Sequence, residues 1–229
     1  MPPEQASSPT VNPGIRFSEF QLRLMSSLLL LPVVLTIIYA GGIWFTGLMI
    51  VAAILMIREW DNINLGRHVK WRVIGVAYVL LPTLSMVWLR NSTEEGFREA
   101  MFLFVAIWAC DIGAYLVGRT LKGPKMAPSI SPGKTWSGLG GGMVSAALAG
   151  ALMAGVAPYP DTPFSGAVMG ALLALVGQCG DLFESWMKRR AGVKDSGRLI
   201  PGHGGLLDRV DSLIFTAPLF ALYIFFSQP

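Results

Sequence analysis

Residues 185–211 concentrate the chain's chemistry. They carry Lys188, Arg189, Arg190, Lys194, Arg198 and Arg209, three carboxylates (Asp195, Asp208 and Asp211), one histidine and five glycines, with Glu184 just before them. The rest of the sequence is mostly apolar, and charges beside a bilayer must be solvated, paired or bound. Asp208 and Asp211 stand three apart at the start of an apolar run, so they share one helix face. Asp181 closes the preceding apolar run. Three carboxylates from two neighbouring helix ends suit a hard divalent cation such as Mg2+, which takes oxygen ligands and keeps waters for substrate phosphates. Asp181, Asp208 and Asp211 are therefore read as metal ligands. Lys188, Arg189, Lys194 and Arg209 can neutralise phosphate oxygens, the arginines with two-pronged geometry. The loop 201–205 holds His203, Gly204 and Gly205, and glycine backbone can approach a ligand closely. A solvated basic loop would explain the lysines and arginines. It would not explain Asp208, Asp211 or the glycines at a helix entry.

Two further segments put polar groups at or inside apolar runs. Asp111 lies within one, in Cys110-Asp111-Ile-Gly-Ala-Tyr115, followed by Gly118 and Arg119. It either pairs with a basic residue of a neighbouring helix or serves a site, the default for an intramembrane carboxylate. The second segment, Ile130-Ser-Pro-Gly-Lys-Thr135, precedes another apolar run. Its Gly133-Lys134-Thr135 imitates the end of a nucleotide-binding P-loop. Position 128 is proline where that loop needs glycine, and no α/β domain precedes it, so the P-loop reading is rejected. Ser131, Lys134 and Thr135 either bind phosphate at a helix N-terminus or form an ordinary cap with a basic neighbour.

The elements that must position these groups follow from composition. The chain has 229 residues, 53% hydrophobic and 14% charged, with mean hydropathy +0.55. Soluble domains carry about 25% charged residues, so the fold expected is an all-α, polytopic membrane bundle. A spanning helix needs roughly 20 mostly apolar residues. About seven transmembrane helices are predicted, near 22–40, 43–58, 73–89, 99–118, 137–157, 164–183 and 210–227. The first two are separated by a tight turn at Ala40-Gly41-Gly42. With the N-terminus in the cytoplasm, sixteen of the eighteen Lys and Arg residues fall on inner segments, as the positive-inside rule requires. Both cation-rich loops then face the cytoplasm, where nucleotides are. Residues 1–14, with four prolines, are expected to be a disordered tail. Residues 15–229 form one transmembrane domain, with site segments 108–136 and 178–215.

The net charge of +4 lies between apolar spans. It points to an anionic lipid or substrate at the membrane surface rather than to nucleic acid. Cys110 and Cys179 sit in apolar runs and are read as small packing residues, with no disulfide. Gly138 to Gly142, Ala146, Gly150, Gly166 and Gly170 are small residues that let helices approach closely. They serve packing within the chain or, as the second reading, a homodimer seam.

At these residues the sequence resembles the phosphatidate cytidylyltransferases, or CDP-diacylglycerol synthases. That signature runs from Ser185 through Lys188-Arg189, Lys194-Asp195 and the Pro201-Gly-His203-Gly-Gly loop to Asp208-Arg-Val-Asp211. The segments at Asp111 and at Ile130–Thr135 look like two more family segments, so the resemblance covers roughly residues 108–215. This chain has Gly133 where the family usually has lysine, and it is shorter than many relatives between its second and fourth spans. The resemblance implies transfer of CMP from CTP to phosphatidic acid, giving CDP-diacylglycerol and pyrophosphate at a bacterial inner membrane, with the site facing the cytoplasm. It also implies Mg2+, with K+ as a second cation. In that setting Asp181, Asp208, Asp211, Lys188 and Arg189 are catalytic. Asp111, Ser131, Lys134, Thr135, Ser185, Lys194, His203, Gly204, Gly205 and Arg209 contact substrate. The runner-up is a CTP-dependent polyprenol kinase. A transporter would show inverted repeats with broken helices, and the ionisable motifs instead gather in the C-terminal half.

Overall fold

The computed structural model describes residues 19–63, 69–92, 95–156, 160–197, 199 and 204–227, side chains at 19, 20, 22 and 23 excepted. The predicted tail at residues 1–14 and His203 lie outside the described residues. Seven helices follow in order among the described residues: α1 (Glu19–Ala40), α2 (Gly42–Asn62), α3 (Val69–Asn91), α4 (Gly96–Leu121), α5 (Trp136–Met153), α6 (Pro163–Arg190) and α7 (Leu207–Ser227). Helices α2 to α7 are long and apolar enough to cross a membrane, while the described apolar stretch of α1, Leu24–Ala40, is shorter. Six of the seven predicted spans fall inside these helices, and the fifth, 137–157, runs past the end of α5 at Met153. Several helices outrun their apolar runs at the polar ends: α2 continues to Asn62 and α6 to Arg190.

Large apolar side chains face outwards, among them Leu29, Ile43, Leu152 and Phe226, each more than 60% exposed. Such a surface is stable only in lipid, where apolar side chains need no protein partner. One buried cluster joins α1 to α4 with α6 and α7 around Phe45, Leu89, Phe102 and Phe220, where the Phe102 and Phe220 rings stack at 5.3 Å. A second cluster, around Met56, Trp60, Val79, Met187 and Leu207, sits at the end of the bundle that carries the charges.

Small residues set the helix crossings that build the site. Helix α5 packs between α4 and α6. A side chain at Gly170 would run into the Ala146 carbonyl, and one at Gly150 into that of Gly166. These faces therefore pack α5 on α6 within the chain. At the next crossing, a Cβ on Gly180 would stand 2.6 Å from the Asp211 carbonyl. That close approach of α6 to α7 sets Asp181 beside Asp211.

The ends of the elements are locally specified. Pro163 opens α6, behind a reciprocal cap between Thr162 and Ser165. Lys188, Arg189 and Arg190 occupy its last turn, where cations offset the helix dipole. The tight turn between α1 and α2 is present, with Gly41 at φ 63°. Arg90 donates to the Ile38 and Tyr39 carbonyls across that turn. The sequence reading missed a small antiparallel hairpin before α5, β1 (Lys125–Ala127) with β2 (Ser131–Thr135). Five mostly polar residues give too little alternation to announce a strand.

Candidate active site

The charged groups converge at the ends of α4, α6 and α7 and on the hairpin. Thr135 caps α5, its Oγ1 accepting from the Gly138 amide at 3.0 Å. This fixes the direction in which β2 delivers Lys134. The Lys134 ammonium then meets Asp181 Oδ2 at 2.5 Å, linking β2 to α6. Ser185, one turn on, donates to Asp181 Oδ1 at 3.3 Å. Arg189 holds the hairpin from the same helix: its Nε donates to the Ile130 carbonyl at 3.2 Å, and Nη1 to Val193 at 3.3 Å.

A second centre lies between α6 and α7. Lys188 Nζ stands 2.6 Å from Asp208 Oδ1 and 3.2 Å from Glu184 Oε1. Glu184 is fully buried, Asp208 is 6% exposed and Lys188 12%. Neither Glu184 oxygen has a hydrogen bond. The lysine is within ion-pair distance of Oε1, but the geometry is too poor for a bond. Asp208 by contrast is saturated. It also accepts from the amides of Ser196, at 2.9 Å to Oδ2, and Gly205, at 2.9 Å. Gly204 has φ 87°, and a Cβ there would come within 3.0 Å of Asp208 Oδ2. Gly204 and Gly205, the described part of the loop read from sequence as a place for backbone to approach a ligand, lie against the protein's own Asp208 carboxylate. Asp211 Oδ1 accepts from the Ser212 amide at 2.7 Å.

Beside these centres opens a cavity of about 690 Å3. Asp111 and Asp181 line it with Lys134, Thr135 and Gly133. So do Arg119, which the sequence places in the Asp111 segment without a role of its own, and Lys122 and Lys125, which there serve only to orient the chain. Close packing makes the wall: a Cβ at Gly138 would lie 3.0 Å from the Ala114 carbonyl, so α4 carries Asp111 past the start of α5. Ser131 opens β2 on the same hairpin. Lys194 is exposed on the loop after α6. Arg209 points elsewhere. It lines a separate groove of about 450 Å3 with Ser26, Ser27 and Trp108, because it follows Asp208 by one residue and so leaves α7 in a different direction.

Two site residues have no assigned role in the sequence reading: Glu184, counted there only as part of the charge cluster, and Glu59. Glu184 precedes Lys188 by one helical turn, a spacing that announces a pair. Glu59 sits at the end of α2, 5% exposed, and its role depends on contacts far along the chain.

The donor set can be tested for a metal. Asp181, Glu184, Asp208 and Asp211 gather around two ammonium groups, Lys134 and Lys188. That excess of negative charge in a half-buried place suits a hard cation with oxygen ligands. Asp208 is held by Lys188 and two amides and Glu184 is fully buried, which leaves Asp211 and the part-exposed Asp181, itself paired with Lys134, to turn to it. Among the described residues, no three His, Cys, Asp or Glu side chains already converge as a ligand set.

The sequence model of the Cytidylyltransferase family matches residues 69–227, which hold the cavity, the hairpin and both charged centres. The chain belongs to the cytidylyltransferase family. Among similar proteins of this cytidylyltransferase is the phosphatidate cytidylyltransferase of Brucella suis biovar 1. It is 44% identical over 200 residues, 86% of this chain and 71% of the relative. The phosphatidate cytidylyltransferase of Rickettsia typhi is 39% identical over 207 residues, covering 87% of this chain and 89% of that protein. That of Rickettsia bellii is 37% identical over 209 residues, covering 88% and 89%.

Proposed function

We propose that this cytidylyltransferase moves CMP from CTP to phosphatidic acid, giving CDP-diacylglycerol and pyrophosphate. A phosphate oxygen of the lipid attacks the α-phosphorus of CTP. The new P–O bond forms as the bond from that phosphorus to the bridging oxygen of the pyrophosphate breaks. The lipid phosphate is already a nucleophile, so no strong base is required. The difficulty is bringing two polyanions together and stabilising charge on the leaving group, which fixed cations do best.

One observation carries this reading: a cavity that joins a basic rim to the Lys134–Asp181 pair, in a chain that is similar to proteins named phosphatidate cytidylyltransferase. Arg119, Lys122, Lys125 and Lys134 hold the triphosphate. Asp181 and Asp211 would hold Mg2+, which when bound supplies Lewis-acid stabilisation of phosphoryl oxygens. Lys188, held by Asp208 and Glu184, presents a fixed charge beside them. Apolar outer helix faces keep the acyl chains in the bilayer while the phosphate enters between helices. Positive-inside asymmetry supports a cytoplasmic N-terminus and a site facing the cytoplasm. The test uses purified protein with CTP labelled at the α-phosphate and phosphatidic acid. Label moves into the lipid phase only when both substrates are present; its absence from that phase overturns the reading.

A further inference from the structure

Glu59 sits in the last turn of α2, far in sequence from the cavity, the hairpin and both charged centres. Its carboxylate is nonetheless fully engaged with the site's supports. Oε1 accepts from the Leu206 amide at 2.8 Å, and Oε2 accepts from the Leu207 amide at 2.8 Å and from Ser196 Oγ at 3.2 Å. The first amides of a helix have no partner within it. Here the Gly205 amide is taken by Asp208 from inside α7, and the next two by Glu59 from another helix. A negative charge at this end also offsets the helix dipole.

Ser196 ties the two carboxylates together. Its hydroxyl reaches Glu59 and its amide reaches both Asp208 oxygens, at 3.2 and 2.9 Å. A continuous chain of bonds therefore runs from Glu59 through Ser196 to Asp208 and Lys188. The packing leaves no room for variation: a Cβ on Gly197 would lie 2.8 Å from Glu59 Oε1, and one on Gly205 2.7 Å from Oε2.

We infer that Glu59 is a positioning residue for CMP transfer, fixing the first turn of α7 and the Ser196 loop so that Asp208, Lys188 and Asp211 keep their places. The inference rests on the proposed reaction. It goes beyond capping because the capped turn is the one that carries both aspartates. Displacing catalytic groups by about 1 Å can cost on the order of 100-fold in rate.

The test compares Glu59→Gln, Ser196→Ala and the double variant with wild type, in detergent, by steady-state CMP transfer per folded molecule and by thermal unfolding. Phe102→Leu, in the core away from the site, supplies a destabilised control. The expected result is a fall in kcat of about 10- to 100-fold for Glu59→Gln, with KM for CTP changed much less. Ser196→Ala should lose severalfold alone and add little on top of Glu59→Gln, because both act through one network. Phe102→Leu should lose melting temperature and keep its kcat. Wild-type kcat per folded molecule in Glu59→Gln and Ser196→Ala would overturn the inference and reduce Glu59 to a cap. If Glu59→Gln does not fold, Ser196→Ala, which removes one hydroxyl, decides alone. An inactive wild type would overturn the proposed reaction and this inference together. An active wild type with unaffected variants overturns only the inference.

Discussion

Replacing Lys188 with alanine removes the one ammonium placed between Glu184 and Asp208, and the geometry sets the cost. Glu184 is fully buried and Asp208 is 6% exposed, so neither carboxylate recovers its hydration when the lysine goes. Breaking a buried pair by deleting one partner costs about 3–5 kcal/mol. Asp208 keeps its two amide donors, which places the expected loss near the lower end, at roughly 3 kcal/mol. For a chain of this length, that is a fall in melting temperature of about 6–12 °C on the soluble-protein scale. Tryptophan fluorescence during heating in detergent would read it. The double variant Glu184→Leu, Lys188→Met provides the decisive comparison. It removes the fully buried Glu184 charge together with the lysine and leaves Asp208 on its two amide donors, and replacing buried ions by apolar groups of similar volume is often neutral. Its melting temperature should return most of the way to wild type, while CMP transfer stays lost because the fixed cation is gone. An unchanged melting temperature in Lys188→Ala would refute the buried-pair reasoning. So would a double variant less stable than the single one.

The helix crossings and the metal make three further predictions. Gly170→Val forces a side chain towards the Ala146 carbonyl and should cost about 1–3 kcal/mol by overpacking, seen as a lower melting temperature and lower transfer activity. Gly140→Ala meets nothing within 4 Å and should be neutral or slightly stabilising, since alanine is the better helix former. Chelation with EDTA should stop CMP transfer and added Mg2+ restore it; full activity in rigorously chelated buffer would contradict the roles of Asp181 and Asp211.

What the sequence made legible was short-range or periodic. Apolar runs announced the helices, and the spacing of Asp208 and Asp211 placed both on the first turns of α7. Lys188, Arg189 and Lys134 stood out as charges beside oil. What stayed hidden was which of these groups pair with each other. Lys134 meets Asp181 across 47 residues of chain, and Arg189 meets Ile130 across 59. Only the folded crossings of α5, α6 and α7 create those partnerships. Glu59 was hidden for the same reason. From sequence it marks the polar end of an apolar run; in the fold, α2 continues past it and lays it against a loop and helix start 137 to 148 residues away. Arg209 shows the converse. Its neighbours are site residues, yet helix geometry turns it into a different groove.

The position of the label in the lipid product distinguishes CMP transfer from phosphoryl transfer. Purified protein is given phosphatidic acid with CTP labelled either at the α- or at the γ-phosphate, and the Asp211→Asn variant is run in parallel. CMP transfer leaves α-label in the lipid and γ-label only in released pyrophosphate, and Asp211→Asn should give neither product. Label from the γ-position in the lipid, or undiminished transfer by Asp211→Asn, would contradict these expectations.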